Sequence, residues 1–213
     1  MAGRKAGMGQ RDPWNKGVKT GQRHPFSPSD VKRIKKLLAK RGDARLRDLA
    51  LFSISIDTML RAPDLLGLVV KDVRKRNRAM RDTVDLKAAG RGRSIQCTLS
   101  NVTMNVLDRW IDLSGKKPND YLFAGRTGGG STPITARQFS RLVKSWATDV
   151  GLDASLYGTE SLRRTRSKHI LNRTGNLEAV RVLLGLKDIG TTARYLGDSA
   201  PQDALAISRV HEM

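Results

Sequence analysis

Apolar residues recur at three- and four-residue spacing along most of this chain and break into short alternating runs only near its middle. Val31, Ile34, Leu37 and Leu38 line one face of a helix. Its start is written just before them in Ser27-Pro28-Ser29-Asp30, where Ser27 caps, Pro28 takes the first helical position and Asp30 supplies the third-position carboxylate. Gly42 stops it. Leu46, Leu49, Ala50, Ile54 and Ile56 predict a second, largely buried helix over 46–60, and a short third one runs from 63 to 68, leaving Arg61 in the turn between them. Further helices are predicted over 101–114, where Val102, Val106, Leu107, Trp110 and Ile111 fall at helical spacing, and over 135–150, 161–173, 177–184, 189–195 and 201–210.

Residues 69–73, 83–86 and 94–99 read differently: they are short, basic and partly alternating, as strands are. The last two bracket Lys87-Ala88-Ala89-Gly90-Arg91-Gly92, a glycine-containing basic turn. Gly115-Lys116-Lys117-Pro118-Asn119-Asp120 reads as a turn, Tyr121-Leu122-Phe123 as a short buried strand or helix entry, and 125–133 as a mobile loop. With no internal repeat and no heptad, the pattern predicts a mainly α domain with one small antiparallel β-sheet over 27–213. Residues 1–26 carry almost no aliphatic side chains. They are expected to form a flexible basic tail, because they cannot bury enough apolar surface to offset the entropy of ordering.

Charge adds a partner to this picture. Lys and Arg number 40 against 20 Asp and Glu, a formal charge of +20 with a pI of about 10.9. The excess is spread, with six basic residues and one acidic in 1–26, and nine and three in 71–93. A broad face for double-stranded DNA or RNA fits this distribution better than a single arm; a basic ribosome-associated factor would share the charge. Cys97 is the single cysteine, so no internal disulfide forms and a reducing, cytoplasmic setting is expected. The most apolar stretch, 46–70, is interrupted by Asp48, Asp57, Arg61 and Asp64, and neither a membrane span nor an apolar signal segment is read. His24, His169 and His211 are far apart and no acidic or Cys/His cluster has ligand spacing, so no metal or other cofactor is expected.

The candidate chemistry lies in the order of a few residues. Glu160-Ser161-Leu162-Arg163-Arg164-Thr165 precedes Leu183-Leu184-Gly185-Leu186 and Thr191-Thr192-Ala193-Arg194-Tyr195-Leu196-Gly197, which sets an arginine pair and a tyrosine about thirty residues apart, with Arg61 far upstream. Breaking a phosphodiester without a metal needs a nucleophile, cationic donors for the charge that builds on the non-bridging oxygens, and an acid for the leaving oxygen. Arginine supplies the donors, because its planar fork binds two phosphate oxygens and stays charged. Tyrosine suits a nucleophile whose covalent phosphoryl intermediate is stable and later reversed.

These residues resemble the tyrosine recombinase, or phage integrase, family, whose catalytic domain carries Arg, Lys, a His-x-x-Arg pair, a His or Trp and a terminal Tyr in this order. The resemblance runs from about Ser27 to the C-terminus. In Leu60-Arg61-Ala62-Pro63-Asp64-Leu65, Arg61 matches the first arginine and Asp64 its acidic companion. Lys87 stands on the hairpin turn, where the family places the lysine that protonates the leaving 5′ oxygen; Arg163 matches the second arginine and Tyr195 the nucleophile. Arg91, Arg93 and Arg164 are read as DNA contacts, and Arg91 and Arg93 also compete with Lys87 because sequence does not settle hairpin register. The resemblance implies an integrase-like catalytic domain that needs no cofactor and assembles on double-stranded DNA with further copies or a partner recombinase. Family members clamp DNA with a separate core-binding domain of roughly a hundred residues. Only residues 1–26 precede Ser27 here, so that domain is expected to be absent, with the basic tail following the phosphate backbone in its place. Ala204, Leu205, Ile207 and Val210 give the last helix an apolar face for docking on a neighbouring protomer or on its own domain.

Two positions depart from the pattern: Glu160 stands where the family has His or Lys, and Leu186 where it has His or Trp. A carboxylate beside a phosphate is repulsive unless it is protonated or held by a cation such as Arg164. Leucine donates no hydrogen bond, although it can pack the tyrosine-bearing helix. Reduced or conditional activity follows as an expectation. Taken singly, Arg61 reads equally well as a surface arginine, Lys87 as a solvated hairpin lysine and Tyr195 as a half-buried aromatic; their joint order favours the site. Trp110 and Trp146 read as core, and His169 as an ordinary helix residue. The expected function is site-specific DNA recombination through a 3′-phosphotyrosyl link, in integration or excision. The alternatives are a non-catalytic DNA-binding accessory or inhibitor on the same fold and a topoisomerase-like relaxing enzyme.

Overall fold

A computed structural model of the protein describes residues 22–87, 94–125 and 131–197; Arg91, Arg93 and the helix predicted at 201–210 lie outside them. Within them the chain is mainly helical, with one two-stranded antiparallel sheet, and no helix is long and apolar enough to cross a membrane. Helix α1 (Pro28–Lys40) starts as its sequence dictates. The Asp30 amide donates to Ser27 Oγ at 3.1 Å and the Ser27 amide to Asp30 Oδ2 at 3.2 Å, so two otherwise orphaned amides are satisfied reciprocally. After a single 3₁₀ turn (Gly42–Arg45), α2 (Leu46–Thr58) is buried on nearly every side, and α1 and the helices Asn101–Ser114 and Thr159–Thr174 pack against it. Its buried Ser55 and Thr58 hydroxyls donate to the Leu51 and Ile54 carbonyls, which satisfies these two within the helix, whereas the buried Ser53 hydroxyl has no partner.

Beyond the short α3 (Ala62–Leu66), the strand expected at 69–73 is instead a helical turn, α4 (Val70–Val73). Asp72 Oδ2 accepts the Val69 amide at 2.9 Å and caps it, while Val69 makes only an isolated bridge to Tyr121. The valine-rich composition concealed a capping carboxylate three residues on. Strands β1 (Thr83–Lys87) and β2 (Ser94–Thr98) pair in register from Thr83↔Thr98 to Lys87↔Ser94. Helices α5 (Asn101–Ser114) and α6 (Ala136–Asp149) begin at Ser100 and Thr135, whose hydroxyls accept the Thr103 and Gln138 amides. Trp146 of α6 is fully buried, edge-on to Phe52 at 5.5 Å. Trp110 of α5 is half-buried and its indole N–H donates to the Leu122 carbonyl at 2.9 Å, so both tryptophans belong to the core.

Order also begins earlier than Ser27. Residues 22–26, expected inside the tail, run as a strap over the start of α7 (Thr159–Thr174). The His24 amide donates to the Leu156 carbonyl at 3.0 Å and the Phe26 amide to Thr165 Oγ1 at 2.8 Å. Phe26 is 3% exposed and stacks on Tyr157 at 4.5 Å. Burying one phenyl contributes about 1.5–3 kcal/mol, which together with these bonds offsets the ordering of a few residues. Helices α8 (Leu177–Leu184) and α9 (Ile189–Leu196), the last described elements, pack around a second, smaller apolar cluster of Met59, Val180, Leu184 and Leu196.

Candidate active site

Arg61 owes its place to the residue two before it. Met59 ends α2 in the left-handed conformation, φ 51°, which costs a non-glycine residue about 1–2 kcal/mol. Its side chain is buried among Val180, Leu184 and Leu196 of α8 and α9, and that burial offsets the strain. The turn it makes delivers Arg61 in extended conformation at the start of α3, with Asp64 one turn on. Met59 thus ties the arginine-bearing turn to the tyrosine-bearing helix. The sequence reading missed this role, whose one visible trace is a helix that ends without glycine.

Helix α7 has no apolar stripe, yet Ser161 to Thr165 and Ser167 are buried. The Thr165 hydroxyl donates to the Ser161 carbonyl at 2.7 Å and the Ser167 hydroxyl to the Arg163 carbonyl at 3.1 Å, so the buried hydroxyls are satisfied within the helix. Arg163 and Arg164 are 5% and 7% exposed. Arg163 donates through Nη2 to the Leu184 carbonyl, stands 3.9 Å from Glu160 Oε1 through Nη1, and has a buried Nε with no hydrogen-bond partner. Burial pulls its pKa down, Tyr195, Glu160 and Asp64 push it up, and Arg61 pulls it down again. One guanidinium therefore feels Arg61, Asp64, Glu160 and Tyr195 together.

Tyr195 sits on α9, whose first turn is capped by Asp188: Oδ1 accepts the Thr191 amide at 2.7 Å. The Arg163 and Arg164 guanidiniums lie 5.6 and 5.7 Å from the centre of its ring, close enough for cation–π attraction. The phenol oxygen is buried and closes no hydrogen bond of standard geometry. Burial pushes its pKa well up, the Glu160 carboxylate raises it further as a nearby charge and acceptor, and Arg163 and Arg164 pull it back. The resting nucleophile candidate is a neutral phenol whose ring lies against two cations.

Glu160 is paired with a neighbouring cation, Arg163, three residues on along the same helix face. Arg164, expected on the DNA, is turned inward onto the Tyr195 ring and toward Gly197. Leu186 packs half-buried against the second apolar cluster beside Tyr195. Lys87 closes β1 opposite Ser94; its side chain and residues 88–93, Arg91 and Arg93 included, lie outside what the structure describes. The sheet itself adjoins the site, because buried Cys97 of β2 is electrostatically coupled to Arg163 and bonds the Thr58 carbonyl at 3.2 Å. Lys87 is three residues, about 10 Å, along β1 from Val84, the cross-strand partner of Cys97. Among the described residues no His, Cys, Asp or Glu cluster could hold a metal.

The sequence pattern of the phage integrase family matches residues 26–201. The tyrosine recombinase XerC of Actinobacillus pleuropneumoniae serotype 7 (strain AP76) is 28% identical over 153 residues, which is 70% of this chain and 47% of that protein. XerC of Xylella fastidiosa (strain M23) is 31% identical over 156 residues, 70% and 48% of the two chains. The chain thus spans about half the length of the curated relatives it matches. Among solved structures, XerH site-specific recombinase bound to its difH substrate aligns with a TM-score of 0.69 at 20% identity, over 89% of this chain and 55% of that one. The catalytic domain of bacteriophage HP1 integrase aligns at 0.54 with 16% identity, over 88% and 95%. At these identities the structures share the fold.

Proposed function

Because the chain belongs to the phage integrase family, we propose that it carries out site-specific DNA recombination with Tyr195 as nucleophile, in integration or excision. The observation that carries this reading is the packing of two buried guanidiniums, Arg163 and Arg164, on the Tyr195 ring at 5.6 and 5.7 Å. The phenol oxygen attacks the scissile phosphorus, the new O–P bond forming as the bond to the 5′ oxygen breaks; the phenol gives its proton to water and Lys87 donates one to the departing oxygen. A 3′-phosphotyrosyl link results, and the 5′ hydroxyl of a second strand reverses it. Arg61 and Arg163 bind the non-bridging oxygens. For Arg163 an incoming phosphate takes up the unpartnered Nε and competes with the Leu184 carbonyl for Nη2, and such a donor is worth about 10²–10³ in rate. The basic residues 1–21 follow the phosphate backbone alongside, and the protein acts on double-stranded DNA with further copies or a partner recombinase.

The test is incubation with nicked suicide DNA that carries candidate sites: a covalent protein–DNA adduct that disappears in Tyr195→Phe supports the reading. The buried phenol oxygen and Glu160 favour a second reading, a DNA-binding accessory or inhibitor on the same fold. Retained DNA binding with no adduct across a broad site library would select it. Relaxation of supercoiled plasmid without strand exchange would select a topoisomerase-like activity instead.

A further inference from the structure

The strap at residues 22–26 touches both helices that carry the candidate site. On α7 it bonds Thr165 Oγ1, two residues after Arg163. In its middle, Arg23 donates to the Ser155 carbonyl and lies against Gly158. At its far end Gln22 Nε2 donates at 2.6 Å to the carbonyl of Arg194, the residue immediately before Tyr195, which also takes the Gly197 amide at 3.2 Å. Gln22 Oε1 and Arg164 Nη2 then close together on Gly197, where φ is +76° and a side-chain carbon would stand 3.2 Å from each. Gln22, the guanidinium over the Tyr195 ring and the end of the tyrosine helix form one contact.

That contact bears on the phenol. Because the Tyr195 oxygen is buried, it meets a phosphorus only after α9 turns or shifts, and a bond to the last turn of an eight-residue helix opposes that movement. We propose that residues 22–26 are a latch in which Gln22 is a positioning residue: docked, it holds α9 with Tyr195 inside; undocked, it frees the phenol to reach phosphate. The proposal rests on Tyr195 being the nucleophile.

The full chain, Gln22→Ala and Gln22→Lys, which keeps a donor, are compared in two assays. One is nitration of Tyr195 by tetranitromethane, read by peptide mass spectrometry with Tyr121 as internal reference; the other is adduct formation at saturating suicide DNA. Gln22→Ala should raise both rates about three- to tenfold, the range one net hydrogen bond supports, with DNA affinity and Tyr121 nitration unchanged and Gln22→Lys near the parent. Unchanged or slower Tyr195 nitration in Gln22→Ala overturns the latch. Faster nitration with no adduct in any variant upholds the latch and overturns the nucleophile instead.

Discussion

Glu160→Gln removes one negative charge 3.9 Å from Arg163 and beside the Tyr195 phenol while keeping the side chain's size. Two unit charges about 4 Å apart interact by about 4 kcal/mol at an effective dielectric of 20 and about 1 kcal/mol in water. The Glu160 side chain is 43% exposed, so its repulsion of a phosphate gripped by Arg163 belongs in the lower part of that span, about 1–2 kcal/mol, or roughly five- to thirtyfold. Against this stands the lost ion pair with Arg163, which at 3.9 Å is long and contributes about 0–1 kcal/mol. The net expectation is a gain of about tenfold in DNA affinity at low salt, shrinking as salt screens the charge. Adduct formation should gain at least as much, because charge on the phosphate oxygens grows in the transition state and because losing the carboxylate lowers the phenol's pKa. Fluorescence anisotropy on duplex DNA at two salt concentrations, with adduct rates on suicide DNA, reads both. A fall in adduct rate at unchanged affinity would refute this reasoning, since the carboxylate would then be working, as the acceptor of the phenol's proton.

Met59→Ala empties part of the small cluster that joins the Arg61 turn to α8 and α9; it should cost about 2–3 kcal/mol in urea unfolding and slow adduct formation more than it weakens DNA binding. Leu186→His puts an imidazole into the same cluster, so the expected result is about 1 kcal/mol lost, seen as a lower Tm, with no gain in cleavage. Burial pushes the Cys97 thiol from 9.0 up to about 11, and Tyr195 is raised from 10.0 by burial. Both groups are held neutral by the fold, so the stability they carry is intact below about pH 9 and is lost as pH rises toward 11. Urea midpoints measured from pH 8 to 11 should fall accordingly, and Cys97 should resist alkylation at pH 8; a flat or rising midpoint would contradict the assignment.

Elements with both a cap and an apolar period were legible in the sequence. Helices Asn101–Ser114 and Leu177–Leu184 stand where their spacing placed them, and the hairpin follows its alternation. Turn 70–73 was hidden, because the β-branched Val69, Val70 and Val73 outweighed one capping carboxylate. The strap was hidden too: Phe26 is a lone aromatic in a polar stretch, and only its partner Tyr157, far along the chain, makes it core. For the candidate site, the sequence offered Arg163 and Tyr195 as a pair, and the structure packs that guanidinium on that ring. Which of two adjacent arginines faces Glu160 and which lies toward Gly197 depends on helix rotation, and a string of letters does not carry that. The left-handed Met59 is equally invisible, since its strain is compensated only by side chains of α8 and α9.

The phenol oxygen of Tyr195 is expected to become the link to DNA. Arg194 stands directly before it and the next basic residue is Arg209, so trypsin releases residues 195–209 as one peptide. After reaction with suicide DNA and nuclease trimming, mass spectrometry should find that peptide carrying a 3′-nucleotide on Tyr195, and Tyr195→Phe should abolish it. A nucleotide on any other residue, or an adduct that survives Tyr195→Phe, would contradict the claim.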